Sequence, residues 1–464
     1  MQNEGIEITH SKAHMASYGL GATINQFLHM AFVSLGFYFY EVEIGLNVWL
    51  TSLGYILFAI WNAANDPLVG YLTDKPFKFT KRWGRRFPWM IIGGIPWILS
   101  YILIFLPPNV DPESGALFIF LWLVFTTCLF DTLLSVWWVN YYSLYPDKFR
   151  SAEERRSASG IITPIGIIGV ALGGIVPPLF IRYGDTQSFV IQAIVVVLIC
   201  FLLFLLAIPG FRDDKASIER YMKKIEEQTE KENFFKSLKN SLKHKSFVVY
   251  IVLTTFFFAL AYCIQASIPY VVRFILKESS SSQIILQVAF LIGALVSIPF
   301  WIKFANKIND NRKILIISSG LVVIFTIPLT FLTGVFILFI ILFLWGVSYG
   351  GMWAMLRVVI ADVIDESIAM TGKRKEGVYN GIYQFFGRIA IILQAITFAI
   401  IHMLTGFEEG VATQSMEAIW GIQLHFGIIP ALYLLVGVLI FWKYYDLTTE
   451  RLEFCHNKIK ELGL

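Results

Sequence analysis

Apolar stretches of roughly 18 to 25 residues recur along this chain from end to end, each long enough to cross a hydrocarbon core of about 30 Å. A water-soluble domain cannot hold a dozen of them, because its shell must be built from charged and polar side chains. Composition agrees, since 56% of the 464 residues are hydrophobic and only 15% are charged. Hydropathy places the spans at residues 17–40, 45–71, 88–106, 115–145, 158–181, 188–208, 246–276, 283–304, 313–332, 335–362, 376–402 and 419–445. The expected fold class is an all-α membrane protein of twelve transmembrane helices. The first sixteen residues are polar and lead straight into a long span, so no cleavable signal peptide is expected.

The net charge of +4 does not point to nucleic acid, because the basic residues sit in alternate connections. Lys75, Lys78, Lys81, Arg82, Arg85 and Arg86 crowd the second, Lys148, Arg150, Arg155 and Arg156 the fourth, and Lys303, Lys307, Arg312 and Lys313 the eighth. The first and third offer Glu41, Glu43, Asp111 and Glu113 instead. The positive-inside rule then places the even connections and both termini in the cytoplasm of a multi-pass protein, expected in the cell membrane. Cys128, Cys200 and Cys263 lie inside spans and Cys455 in the tail, which gives neither a disulfide framework nor zinc spacing.

One long polar stretch divides the spans six and six. The expected organisation is an N-terminal bundle over 1–210, a cytoplasmic linker over 211–245, a C-terminal bundle over 246–445 and a tail over 446–464. Ile218, Tyr221, Met222 and Ile225 recur at helical spacing within the linker, as in a surface helix. The halves echo each other, as in carriers with a pseudo-symmetric site. Asp74, Arg85 and Arg86 after the second span match charges after the eighth, and Asp147, Arg155 and Arg156 match Asp362, Asp365, Lys373 and Arg374. Charges at equivalent places in each half are expected to act as cytoplasmic latches of an alternating-access device.

An ionisable group in mid-bilayer costs at least about 2.5–3.5 kcal/mol on insertion scales, so each one calls for a partner or an aqueous path. The deepest are Asp66, Asp131, Arg357 and Arg388. Asn62 and Asp66 lie four apart on one helical face with Asn65 beside them, so oxygen ligands suited to a small hard cation or hydronium converge there. Asp131 and Ser135 share the same spacing in the fourth span. A protonated acid bonded to a neighbouring helix is the bland reading of Asp131, and a capping Asp at a proline kink that of Asp66. Arg357 is near enough to its helix end to snorkel or to pair with Asp362 or Asp365. Arg388 is too deep for that, and pairing with Asp66, Asp131 or an anionic group of the solute is expected. Asn25 and Gln26 place two amides in the first span, and Trp137, Trp138, Tyr141, Tyr142 and Trp353 offer flat apolar faces for a ring to stack on.

Two motif pairs carry a family likeness. Asn65-Asp66-Pro67-Leu68-Val69-Gly70 is followed by Arg82-Trp83-Gly84-Arg85-Arg86-Phe87-Pro88-Trp89, and Ala361-Asp362-Val363-Ile364-Asp365 by Thr371-Gly372-Lys373-Arg374-Lys375-Glu376-Gly377. From Tyr18 to about Tyr445 the chain resembles the glycoside-pentoside-hexuronide:cation symporter family (melibiose permease-like) of the major facilitator superfamily. The resemblance implies two six-helix bundles, no cofactor beyond a coupling proton or sodium ion, and cation-coupled symport of a sugar or glycoside by a monomer among membrane lipids. It places the cation site at Asn62, Asn65, Asp66 and Ser135. The family's second carboxylate in span two is replaced by Asn62, which favours a proton on Asp66 or the substitute acid Asp131. Arg388 stands where the family has a lysine and Trp353 matches a tryptophan. The sugar-binding acids of spans one and four and the arginine of span five correspond to Gln26, Trp138 and Thr163, so galactoside specificity does not transfer. The same resemblance extends to animal lysophospholipid transporters, which keep the span-two acid and span-eleven base and hold a lipid. A solute sensor without transport shares these features, whereas the scattered histidines at 10, 14, 29, 244, 402, 425 and 456 form no catalytic set and no enzyme is expected.

Overall fold

In hydrocarbon every backbone N–H and C=O must be satisfied within the protein, and a long apolar run does this by coiling into a helix. The computed structural model describes residues 10–73, 80–149, 151–213, 218, 241–372 and 376–461, and no strand occurs among them. The chain divides into two compact units, Met1–Glu230 and Lys231–Leu464. The first contains α1 (Lys12–Tyr38), α2 (Val48–Thr73), α3 (Phe87–Ile104), α4 (Ala116–Lys148), α5 (Ala152–Phe180) and α6 (Thr186–Phe211). The second contains α7 (Lys245–Tyr270), α8 (Ser282–Ile308), α9 (Asn311–Thr326) and α10 (Val335–Thr371). Span eleven is broken into α11 (Glu376–Gly387) and α12 (Ile389–Thr405), and span twelve into α13 (Met416–Phe426) and α14 (Ile428–Tyr444). A tail helix, α15 (Thr449–Glu461), follows.

Ten of the described stretches are long and apolar enough to cross a membrane. The helices α1 and α2 match them in length and carry Asn25, Gln26, Asn62, Asn65 and Asp66 in place of an unbroken apolar run. Several helices outrun their expected spans, most of all α10, which continues nine residues past 362 to Thr371. Tyr221, Met222 and Ile225 of the linker fall outside the described residues.

The internal repeat is written in the packing. In the first unit α1 packs on α5 and α6, α2 on α4, and α3 on α4 and α6; in the second, α7 packs on α12 and α14, α8 on α10, and α9 on α10 and α14. Each pairing of spans one to six thus recurs among spans seven to twelve. Even the ends match, since α1 runs into a π-helical turn at Phe39–Glu43 and α7 into one at Val271–Ile275. Helices in lipid gain little from burying apolar surface against each other, so close approach at small residues holds them. At Gly169 a Cβ would run into the Thr23 backbone of α1, and at Gly346 into the Phe290 carbonyl of α8.

Candidate functional site

The polar turn of α2 is held against the middle of α4, and there the expected cation residues meet. Asn62 donates from Nδ2 to Asp131 Oδ1. Asn65 donates from Nδ2 to Asp131 Oδ2 at 3.2 Å and to Ser135 Oγ at 3.0 Å. Ser135 in turn donates its hydroxyl to Asp66 Oδ1 at 2.6 Å. All five residues therefore form one chain of hydrogen bonds, with Asp131 1% and Ser135 2% exposed. Of the remaining side-chain oxygens of the cluster, Asn62 Oδ1 is buried and accepts no hydrogen bond among the described residues. Two carboxylates joined through one hydroxyl and one amide repel, and a shared cation or proton relieves that repulsion. The donor set is all oxygen, which fits a hard cation and not a soft metal. Asp131 also touches the very side chain, Asn62, that stands where the resembled family has its second acid.

The stripe of α4 that carries Asp131 and Ser135 continues, one and two turns on, into Trp138 and Tyr142. Those two rings meet edge to face at 4.2 Å, and Tyr142 is 56% exposed. Trp137 and Tyr141 behave otherwise, which corrects the expectation that all four present a face to solute. Both are buried, stacked on each other at 4.7 Å, and Tyr141 exchanges hydrogen bonds with the Tyr18 backbone and side chain, tying α4 to α1. Asn25 and Gln26 on α1 are half-buried, and Thr163 on α5 is exposed.

In the second unit, Trp345, Tyr349 and Trp353 follow one another at successive turns of α10, with Arg357 one turn further. Trp353 is half-buried and meets Tyr349 edge to face at 5.8 Å. Arg357 lies in the field of Tyr250 and Tyr383. The expected pairing with Asp362 or Asp365 is not made; Asp362 accepts from Asn311 Nδ2 at 2.9 Å and Asp365 faces His456 at 3.2 Å. Arg388 falls at the break between α11 and α12, half-buried and within Coulombic range of Tyr262.

A family model described as MFS/sugar transport protein matches residues 16–449. The chain belongs to that family. This major facilitator superfamily transporter is 24% identical over 441 residues to the sodium-dependent lysophosphatidylcholine symporter 1-A of Danio rerio, covering 87% of this chain and 79% of that one. It is 24% identical over 473 residues to the sphingosine-1-phosphate transporter MFSD2B of Xenopus tropicalis, with 93% and 88% covered. It is 22% identical over 456 residues to the putative glycoside/cation symporter YagG of Escherichia coli, with 94% and 92% covered. Among solved structures, the inward-open xylose transporter XylE of E. coli superposes with a TM-score of 0.63 at 16% identity, covering 95% of this chain and 98% of that one. That likeness shows the fold.

At the helix ends carrying the charged connections, the transporter's ionic groups staple each unit internally. Arg86 is buried and bonds Asn140 Oδ1 at 3.1 Å. Asp213, just past α6, accepts from the backbone N–H groups of Arg86 and Phe87 at 3.0 and 3.2 Å, capping α3 from outside. Burial pushes its carboxyl up from the ordinary value, and those two N–H groups oppose the shift. Arg155 donates to the Phe149 and Pro146 carbonyls of its own bend. Asp147 is exposed, and Arg85 is half-buried. Asp74 and Arg374 lie outside the described residues.

Sequence reading passed over two buried acids, Glu154 and Glu366. Glu154 pairs with His10 at 2.7 Å, and Glu366, 1% exposed, pairs with His244 at 2.8 Å and with Arg451 of α15 at 2.6 Å. Both sit at the connection between the fourth and fifth spans of their half, and both take a histidine that precedes its first span. The Ser151-x-x-Glu154 pattern, a helix-start signature, marked the first of them. Nothing comparable marked Glu366.

Proposed function

We propose that the chain is a cation-coupled symporter whose cargo is a single-chain amphiphile of the lysophospholipid type, and that Asp66, Asp131, Asn62, Asn65 and Ser135 hold the coupling cation. The observation that carries coupling is the buried hydrogen-bond chain between α2 and α4. A cation entering it offsets the mutual repulsion of two carboxylates, and the Trp138–Tyr142 platform lies on the same stripe of α4, about 10 Å from Asp131 to Trp138 along the helix. Occupancy of one thereby biases the surface offered to the other, and that is a coupling free energy between two sites. Arg388 and Arg357, set among tyrosines in the second unit, supply positive charge for the headgroup phosphate.

The lipid reading is supported by two relatives whose names specify lysophosphatidylcholine and sphingosine-1-phosphate. It is supported too by Gln26, Trp138 and Thr163, which stand where the resembled sugar carriers hold charged groups for hydroxyls. A glycoside is the second reading, favoured by the family description and by the likeness to YagG. Asp74, Arg85, Arg86, Asp147, Arg155, Asp362, Asp365 and Arg374 are assigned to cytoplasmic gating, with contacts such as Arg86–Asn140 and Asp362–Asn311 breaking and reforming between states.

Reconstituted protein given labelled lysophosphatidylcholine or a panel of glycosides, under separate inward sodium and proton gradients, tests both assignments. Gradient-driven accumulation of the lysolipid is the expected result. Accumulation of glycosides alone would overturn the cargo, and lysolipid uptake indifferent to every cation gradient would overturn the coupling.

A further inference from the structure

An apolar cavity of about 450 Å³ opens in the second unit between α8, α9 and α10, lined by Val296, Phe300, Trp301, Phe304, Ile317 and Leu321 among others. The polar atoms of the lining are spent elsewhere. Ser297 donates its hydroxyl to the Ala294 carbonyl at 3.0 Å, and Trp301 donates its indole N–H to the Val347 carbonyl at 2.8 Å. Val296, Phe300, Phe304 and Ile317 are all exposed, so the groove lies open at the unit's surface and offers hydrocarbon contacts with no hydrogen bond.

The helix register gives this groove a charged mouth. Val296, Phe300, Lys303 and Lys307 fall within one narrow face of α8, and Leu321, Ile317 and Lys313 follow one another at four-residue steps on α9. All three lysines are exposed. Lys313 shares its charge with Asp310 at 3.1 Å, while Lys303 and Lys307 make no ion pair among the described residues. From Lys307 to Val296 is about 16 Å of helix, half of a hydrocarbon core of about 30 Å, so the groove reaches as deep as a single leaflet. The lysines stand at the end that the basic connections assign to the cytoplasm, where anionic lipids attract basic side chains.

We propose that this groove is a binding site for an anionic diacyl phospholipid of the surrounding bilayer, with one acyl chain along Phe300, Phe304, Ile317 and Leu321 and the headgroup phosphate at Lys303, Lys307 and Lys313. A groove without polar contacts takes any chain, so the lysines set the selectivity. The site is independent of the cargo proposed above.

Native mass spectrometry of the purified protein, exchanged into mixed phosphatidylglycerol and phosphatidylcholine, reads the preference directly. Retention of phosphatidylglycerol over phosphatidylcholine by roughly thirtyfold is expected from two unpaired lysines, falling towards parity in a Lys303→Gln/Lys307→Gln variant. Equal retention of both lipids by the native protein, or an unchanged preference in the variant, would overturn the proposal. A second measurement needs no variant: phosphatidylglycerol carrying a photoreactive acyl chain should label peptides spanning 296–304 and 317–321. Labelling elsewhere, equal labelling by the phosphatidylcholine analogue, or displacement of the label by lysophosphatidylcholine would each overturn it, the last by assigning the groove to cargo.

Discussion

Ser135 is the smallest part of the cation cluster and the one whose removal is easiest to read. Its hydroxyl donates to Asp66 at 2.6 Å and accepts from Asn65 at 3.0 Å, so Ser135→Ala deletes the hydroxyl link in the hydrogen-bond chain between the two carboxylates. Asn65 keeps its bond to Asp131 at 3.2 Å, and the rest of the α2–α4 contact has no reason to move. A hydrogen bond to a charged group contributes about 1.5–3 kcal/mol, and about 1.4 kcal/mol is a factor of ten in affinity. The cation concentration for half-maximal uptake should therefore rise roughly 10- to 100-fold in proteoliposomes, while the maximal rate at saturating cation changes far less. Ser135→Thr, which keeps the hydroxyl, should restore most of the affinity. An unchanged half-maximal concentration in Ser135→Ala would refute the placing of this hydroxyl in the cation shell.

Glu366→Ala strips His244 and Arg451 of their shared acid; because Arg451 is 45% exposed, the loss should be about 2 kcal/mol and not the larger figure for a fully buried pair, seen as a lower unfolding midpoint together with faster proteolysis within α15. Asp213→Ala leaves two N–H groups of α3 without their cap, at a cost of about 1 kcal/mol, and Asp213→Asn, which keeps a carbonyl acceptor, should lose less when both are compared by thermal unfolding. Asp446 is subject to burial that would raise its carboxyl, but the Lys245 hydrogen bond at 3.1 Å and the charges of Arg451 and Lys245 outweigh it, so the group ionises below the ordinary range. Its contribution is present above the unfolded value and lost as pH falls through the lower folded one; acid unfolding below about pH 4 should thus be flatter in Asp446→Asn than in the native protein.

The helices were legible because length and apolarity decide what a segment does in lipid, whatever its neighbours. The breaks in spans eleven and twelve were not, since the apolar stretches run on past Gly387-Arg388 and Phe426-Gly427 and only the local backbone departs from helix. The cation cluster was legible to the extent that Asn62, Asn65 and Asp66 share one face, as do Asp131 and Ser135. Which acid faces which amide depends on the register between two helices, and single-helix periodicity carries no such information. The aromatic residues show the same limit. Trp138 and Tyr142 fall on the Asp131 stripe while Trp137 and Tyr141 fall on the neighbouring one, and packing against Tyr18 turned that offset into the difference between surface and core. Charged helix ends were read as latches from their sign and position alone. Among the described residues Arg86 bonds the Asn140 amide, Arg155 two backbone carbonyls, Asp362 the Asn311 amide and Asp365 His456, neutral or weakly charged groups that matching of opposite charges does not reveal.

Asp66→Asn gives the most direct measurement of the cation site, because it removes one carboxylate charge and keeps the shape and an acceptor for Ser135. In proteoliposomes the variant should exchange labelled for unlabelled cargo across the membrane and fail to concentrate it when a cation gradient is imposed. Accumulation at the native level under that gradient would contradict the assignment of the α2–α4 cluster as the place where the driving cation binds.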